Sequence, residues 1–398
     1  MKTLYLCYLG LREPLAQSQV LPYLEEIAKS GVGVRLLTFE PGWPASWSSD
    51  DVARWRTRLA ERGISWTALR YHKSPSLPAT LYDIARGAFL AFQALRRREA
   101  DVLHARAHVP LVMALLARTA ARRGKTVFDI RGLVADEYVD AGVWKKDSPV
   151  YGGMKWVERL GILRADRLVV LTDRCLAWLI DSFAVRPEKI AVIPCCADVE
   201  RYASIGEDEA SGRFEVLYAG SVTGLYLLEE MGRFFLRLRE GRPDAFLRIL
   251  TTASASETEA RLRGVGLPPG SFAAHRADPA EIPGHLARAR VGLSFRLPTF
   301  SQVAASPTKI AEYLAAGLPT VSNSGIGDTD RILQEDRVGV VLPDFSEESY
   351  KKAIAELTEL LQDPALAARC RESARRRFDL RQVGGERYRR LYRSMEPV

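Results

Sequence analysis

Residues 291–323 constrain the fold of this chain more than any other stretch. Val291-Gly292-Leu293-Ser294-Phe295 is a short apolar run of the kind that fills a buried strand. A polar loop follows, and from Pro307 the spacing turns helical. Ser306 is expected at the N-cap and Pro307 at the first helical position, where a missing N–H costs nothing. Gly317 and Pro319 stop the helix, and Thr320-Val321-Ser322-Asn323 reads as the next strand. A strand, a loop and a helix start that offers N–H groups, hydroxyls and a lysine make a site for a diphosphate. Its residues are Ser306, Pro307, Thr308 and Lys309, and Glu312, one turn on, is within reach of a ribose attached to that diphosphate. The same residues also describe a capped surface helix with a Lys–Glu face, so taken alone they leave both readings open.

At 398 residues the chain suits two domains of roughly 200 residues each. Hydrophobic content of 47% and charged content of 27% are those of a globular protein, and no unbroken apolar run is long enough to span a membrane. The net charge of +8 fits a phosphate-bearing substrate or an anionic membrane surface. Nucleic acid is not expected as a partner, because no basic run is interleaved with aromatics. The five cysteines (Cys7, Cys175, Cys195, Cys196 and Cys370) are scattered and form no CxxC, which fits reduced thiols and a cytoplasmic location.

Taken in order, residues 4–9 read as a buried strand, 17–30 as a helix and 34–39 as a second strand, the opening of a doubly wound sheet. The loop between them lacks glycine-rich dinucleotide wording. The tryptophans of 41–55 and the basic run Arg96-Arg97-Arg98, which closes a helix, fit contact with lipid, or else a packed lid and a satisfied helix dipole. The strand at 101–106 contains His104, a catalytic or binding candidate that is equally at home as a core histidine. The strand at 126–129 ends in a polar cluster whose candidates are Asp129, Arg131, Asp136 and Glu137; loop-stabilising ion pairs are the alternative. Residues 203–213 are small, polar and acidic, and read as a hinge. After it, Gly220-Ser221 closes a strand and lets backbone approach a phosphate, with Arg296 as a second cation beside Lys309.

The wording SPTKIAEYLAAGLPTV, followed by Ser324-Gly325-Ile326-Gly327-Asp328, resembles the nucleotide-sugar motif of glycosyltransferase family 4. Pro14-Leu15-Ala16-Gln17-Ser18-Gln19-Val20-Leu21-Pro22-Tyr23-Leu24 resembles the opening of a bacterial subgroup of that family. The resemblance implies a GT-B fold of class α/β: two Rossmann-like domains facing across a cleft, with the C-terminal helix crossing back to the first. The boundaries expected are 1–203 for an acceptor-binding domain, joined by about 380–398, and 204–379 for the nucleotide-sugar-binding domain. It also implies sugar transfer from a nucleoside diphosphate to a glycan or lipid-linked acceptor, with retention, without metal or other cofactor, in cell-surface polysaccharide or glycoconjugate synthesis. Gly220, Ser221, Arg296, Ser306, Pro307, Thr308, Lys309 and Glu312 would hold the donor, and Gln17, Ser18 and Gln19 the acceptor. The chain departs from the family in three places. Arg131-Gly132 stands where a His-Gly or His-Asp pair is usual, no Lys or Arg lies between Gly220 and Glu230, and Ala304 replaces a second glutamate. A sugar-nucleotide epimerase of the same fold and a non-catalytic nucleotide-sugar-binding subunit are the rival readings. Arg96–Arg98, the basic terminal helix and the tryptophan loop lead to the expectation of peripheral contact with an anionic membrane at its inner face.

Overall fold

The computed structural model describes residues 1–203 and 213–396, so the 203–213 segment read as a hinge falls almost wholly outside it. The chain divides into two compact units. Unit 1 comprises Met1–Asp136, Trp144–Pro194 and the segment from Gly384; unit 2 comprises Glu137–Val143 and Cys195–Val383.

Unit 1 is a seven-stranded sheet of β1 (Lys2–Cys7), β2 (Gly33–Pro41), β3 (Ile64–Tyr71), β4 (Val102–Arg106), β5 (Lys125–Asp129), β6 (Arg167–Val170) and β7 (Ile190–Val192). Every pairing is parallel, in the order β3-β2-β1-β4-β5-β6-β7, so strand order reverses between β1 and β4. Helices connect successive strands: α1 (Pro14–Gln19), α2 (Leu21–Lys29), α3 (Ser49–Ala60), α4 (Ser76–Arg96), α5 (His108–Ala121), α6 (Val134–Asp140), α7 (Pro149–Arg164) and α8 (Asp173–Phe183). Leu4, Tyr5, Leu6 and Cys7 of β1 are all buried, as a strand covered on both faces requires.

The single helix expected over 17–30 is two. Val20 adopts φ −123° and ψ −65°, and Pro22 sits in the first turn of α2. Proline has no N–H to continue the ladder and its ring crowds the carbonyl four residues back, so the helix restarts there. The strand β3, which pairs with β2 from Ile64 to Tyr71, went unread in the sequence.

Unit 2 begins with α9 (Val199–Ala203) and has a six-stranded parallel sheet in the order β10-β9-β8-β11-β12-β13. The strands are β8 (Glu215–Ala219), β9 (Phe246–Leu250), β10 (Phe272–His275), β11 (Val291–Ser294), β12 (Thr320–Asn323) and β13 (Gly339–Leu342). Its helices are α10 (Leu228–Gly241), α11 (Ala255–Gly264), α12 (Ile282–Arg288), α13 (Thr308–Ala315), α14 (Thr329–Glu335), α15 (Glu347–Leu360) and α16 (Leu366–Phe378). Phe234 and Phe235 of α10 pack in a core on one side of this sheet, and Ile310, Tyr313 and Leu314 of α13 in a core on the other. Strand order reverses between β8 and β11. Both units are therefore doubly wound Rossmann-like sheets, in which ligands bind beyond the carboxyl ends of the strands at the reversal.

The last helix, α17 (Glu386–Arg393), belongs to unit 1. Tyr388 and Tyr392 turn inward and are 1% exposed. The Tyr388 hydroxyl donates to Asp129 Oδ2 at 3.0 Å, and the Tyr392 hydroxyl lies 2.8 Å from His104 Nδ1 and 3.1 Å from Thr3 Oγ1.

In unit 2, β11 and α13 touch at Gly292, where an added Cβ would run into the ring carbons of Tyr313. Tyr313 cannot swing aside, since its hydroxyl accepts from the backbone N–H of Ala219 at 2.9 Å. Gly292→Ala should therefore destabilise unit 2 by about 1–3 kcal/mol, the usual scale of overpacking. Denaturant unfolding tests this, and an unchanged midpoint would mean that α13 is not clamped as described.

Candidate functional site

The sheet reversal of unit 2 is where the sequence-derived donor residues meet. At the end of β8, Gly220 has φ +143°, and a Cβ built there would lie 2.9 Å from Lys309 Nζ and 3.3 Å from Lys309 Cε. Glycine is needed at 220 on both counts, conformation and space. The loop beyond it is pinned along the residues after β11. Leu227 N donates to Phe295 O at 3.2 Å, Leu297 N to Leu225 O at 2.8 Å, and Tyr226 forms an antiparallel bridge with Arg296.

Two cations converge against this loop. Lys309 is 7% exposed, donates to the Tyr218 hydroxyl at 3.1 Å, and sits 4.1 Å from the centre of the Tyr218 ring and 4.5 Å from that of Tyr226. Arg296 lies over the other side of the cluster, its guanidinium 4.7 Å from the Tyr226 ring centre. Arg296 Nε donates to Gln302 Oε1 at 2.6 Å, Nη1 to the Tyr226 hydroxyl at 3.1 Å, and its backbone N–H to Asn323 Oδ1 at 2.8 Å. Gln302 is fully buried and its carbonyl accepts from Gly327 N at 2.8 Å. Among the described residues neither cation has a carboxylate within ion-pair distance. Burial, and then the Arg296 charge, hold the Lys309 ammonium well below the usual lysine range, with only the more distant Glu312 opposing them. Positive charge that is desolvated and not neutralised is what an incoming diphosphate complements.

The helix start differs by one residue from expectation. α13 begins at Thr308 with Pro307 as its N-cap, and no side chain caps it. The Ser306 hydroxyl instead accepts from the backbone N–H of Cys195 at 3.1 Å, tying this loop to the segment that precedes α9. Ser221, with Thr223 3.3 Å away through their hydroxyls, is exposed at the loop tip. Glu312 faces α9, where the Tyr202 hydroxyl hydrogen-bonds it; burial raises its carboxyl above the usual range, against the lowering effect of Tyr202, Arg201 and Lys309. It makes no ion pair with Lys309, so the simple Lys–Glu helix pair is not what these residues form. Sequence reasoning missed Tyr218, Tyr226 and Gln302. The available signal was the aromatic pair flanking a glycine loop that carries no cation of its own.

In unit 1 the expected catalytic candidates separate into two groups. Asp129 and His104 are both 0% exposed, with His104 Nε2 3.6 Å from Asp129 Oδ2 and both residues covered by the α17 tyrosines. Burial lowers the His104 pKa, against the raising effect of Asp129. In this arrangement both are enclosed in a buried network with the α17 tyrosines. Arg131 Nη1 lies 3.6 Å from Asp129 Oδ1, and its Nη2 donates to Gln19 Oε1 at 3.4 Å, so one acceptor candidate meets one catalytic candidate here. Gln19 is 2% exposed; Gln17 donates to the Leu11 carbonyl, and Ser18 bonds back to the Pro14 carbonyl at 2.9 Å. Asp136 accepts from the Tyr151 hydroxyl at 2.9 Å and from Lys155 Nζ at 2.8 Å. Lys155 also pairs with Glu158, which lies 3.3 Å from His108 Nε2, a buried relay that sequence reading did not join. Glu137 lies beside Asp136 within α6. His108 follows Ala107, whose φ of +67° marks a left-handed turn at the end of β4, the reversal point of this sheet.

Asp129 has a consequence for acid stability. Burial alone would raise its carboxyl, but Arg131, His104 and Arg106 together bring it down to about 2. A carboxyl whose folded pKa lies below its unfolded value of about 3.9 stabilises the fold above that value, and the benefit is lost as pH falls towards 2. Asp129→Asn, which leaves Arg131 without its anion, should be less stable than wild type at neutral pH. That deficit should narrow by about 2 kcal/mol between pH 5 and 2. Parallel stability curves for the two proteins over this range would overturn the assignment.

Residues 16–196 match the family described as a glycosyl transferase 4-like domain. No curated protein matches the chain by sequence. Among solved structures, Anabaena HepE in complex with UDP and glucose superposes with a TM-score of 0.72 at 16% identity, covering 98% of this chain and 99% of that one. Sucrose-phosphate synthase of Thermosynechococcus elongatus does so at 0.71 and 15%, covering 99% and 100%. A candidate UDP-N-acetylglucosamine 2-epimerase of Listeria monocytogenes reaches 0.61 at 13%, covering 98% and 94%. The chain thus has the GT-B fold, with sequence similarity to a glycosyl transferase 4-like domain over residues 16–196.

Proposed function

We propose that the chain is a glycosyltransferase that moves a sugar from a nucleoside diphosphate, held by unit 2, to a glycan or lipid-linked acceptor bound mainly by unit 1. The observation that carries this reading is the pair Lys309 and Arg296 at the sheet reversal, two cations held against tyrosines with no carboxylate within ion-pair distance among the described residues. As the bond between the sugar and the diphosphate breaks, its electrons pass to the leaving phosphate oxygen. Lys309 and Arg296 are fixed beforehand where that charge collects, which lowers the barrier without reorganisation. The acceptor hydroxyl forms the new bond and gives its proton to the leaving phosphate oxygen. Retention of configuration and independence from metal follow the family resemblance. HepE was solved with UDP and glucose, so UDP-sugars are the first donors to try. Polysaccharide or glycoconjugate synthesis in the cytoplasm fits five cysteines that are all free thiols.

The epimerase reading has a specific point in its favour: the fold is shared with the Listeria protein, so fold alone does not discriminate. Incubation with UDP-sugars separates the two. A transferase releases UDP in step with sugar appearing on an added acceptor, whereas conversion of the nucleotide sugar without any acceptor would establish epimerisation. A thermal-shift screen narrows the donor first, since a ligand at 100 times its Kd adds about 2.7 kcal/mol.

Lys309→Ala should weaken binding of the free nucleoside diphosphate by about 1.5–3 kcal/mol, the scale of a charge-assisted hydrogen bond. Calorimetric titration checks this; unchanged affinity moves the phosphate site elsewhere.

Glu312→Gln tests the ribose. Two hydrogen bonds from vicinal hydroxyls to a carboxylate are worth about 2–4 kcal/mol, and the variant should lose most of that. A donor analogue lacking both hydroxyls should bind wild type and variant alike. If the variant still prefers intact ribose as strongly as wild type does, Glu312 serves only α9 packing.

A further inference from the structure

One solvent face of unit 1 differs in composition from the rest of the surface. Along α4, Leu77, Leu81, Ala85 and Phe89 recur every fourth residue and all are exposed, Leu77 by 61% and Phe89 by 56%. That spacing draws an apolar stripe about 18 Å long on one side of a helix. α5 packs beside α4, and α7 beside α5. These two helices add Leu116, Leu163 and Trp156, the last 63% exposed. Eight of the twelve large apolar side chains exposed among the described residues lie on these three helices. Scattered exposed leucines are ordinary, but a contiguous set on neighbouring helices marks a surface that something covers.

The charges on the same helices are one-sided. Their only acids are Asp83 and Glu158, both 1% exposed and both engaged, Asp83 with Tyr8 and His72, Glu158 with Lys155 and His108. Arg86, Arg96, Arg122, Arg159 and Arg164 are exposed, and none has a carboxylate within ion-pair distance among the described residues. Between α5 and α7 opens a groove of about 450 Å³ with Leu115 and Leu160 in its walls and Arg122, Arg123 and Arg164 around it.

We propose that the outer face of α4, α5 and α7 docks onto an anionic lipid bilayer. Leucine, phenylalanine and tryptophan side chains enter the boundary between headgroups and acyl chains, while arginines beside them pair with lipid phosphates. Charge selects this occupant over a second copy of the chain, because two such faces would bring like-charged arginines together. Of the features named from sequence for membrane contact, Arg96 belongs to this face, whereas Trp47 and two α17 arginines are engaged elsewhere. Trp47 is 7% exposed and packs against Trp43 and Trp66, and on α17 Arg389 pairs with Glu26 and Glu386, and Arg390 with Glu386. No helix among the described residues is long and apolar enough to cross a membrane, so the contact is with one surface. It stands on unit 1 alone and does not depend on the donor reading.

The test is flotation of the full chain with phosphatidylglycerol–phosphatidylcholine vesicles and with phosphatidylcholine alone, at low and physiological salt. Wild type should float with the anionic vesicles, less so as salt rises, and not with neutral ones. Arg122→Glu with Arg164→Glu should weaken that binding by about tenfold or more. Leu81→Ser with Phe89→Ser, at exposed positions that leave the core intact, should weaken it at both salt concentrations. Lys309→Ala, whose effect is on the donor, should float like wild type. Absence of flotation at low salt, equal flotation with neutral vesicles, or no effect of either double variant overturns the proposal. So does a wild-type dimer in sedimentation that Leu81→Ser with Phe89→Ser dissolves while flotation is unchanged.

Discussion

The proposed donor site depends on how a buried lysine is kept in place with no carboxylate within ion-pair distance among the described residues. A desolvated ammonium is costly, and proteins usually answer with a carboxylate. In unit 2 the answer is aromatic: two tyrosine rings face Lys309, and one tyrosine hydroxyl accepts from it. Rings attract a cation without cancelling its charge. The site therefore keeps its positive character, and the surroundings follow from that need. Gly220 is bare because the lysine occupies the space of a side chain, and Tyr226 is strapped to Arg296 so that one ring serves both cations.

Much of this was legible in the sequence. The order of an apolar run, a polar loop and a helix of SPTK wording gave β11, α13 and β12, and Lys309, Arg296 and Gly220 do lie together. Cap details were less secure, since a helix start shifts by a residue whenever a hydroxyl finds a better partner, as Ser306 does at Cys195. Tyr218 and Tyr226 stayed hidden for a different reason. Tyrosines next to a strand read as core, and only the three-dimensional path of the loop makes them the walls of a cation site. No lysine or arginine lies between Gly220 and Glu230, and Arg296, expected from the sequence as the second cation, shares the Tyr226 ring with Lys309.

In the first unit the sequence grouped by proximity along the chain what space divides. Asp129 and Asp136 belong to one polar stretch, yet Asp129 is enclosed beneath Tyr388 while Asp136 turns to Tyr151 and Lys155. His104 was open to two readings, and its contacts with Tyr388 and Tyr392 come from nearly 300 residues away in sequence. Long-range closure of this kind has no local pattern, whereas the parallel strands, which need only short apolar runs and punctuating glycines, do.

That closure bears on the order in which the chain is made. Tyr388 and Tyr392 cover a histidine and a carboxylate whose strands emerge more than 250 residues before them. Domains ordinarily complete themselves from the N-terminus as translation proceeds. Here the polar centre of the seven-stranded sheet stays open to water until residues 388–392 have left the ribosome, by which time the residues of unit 2, which all precede them, are available to fold. A ribosome stalled shortly before α17 would thus carry a finished second unit and an unfinished first one.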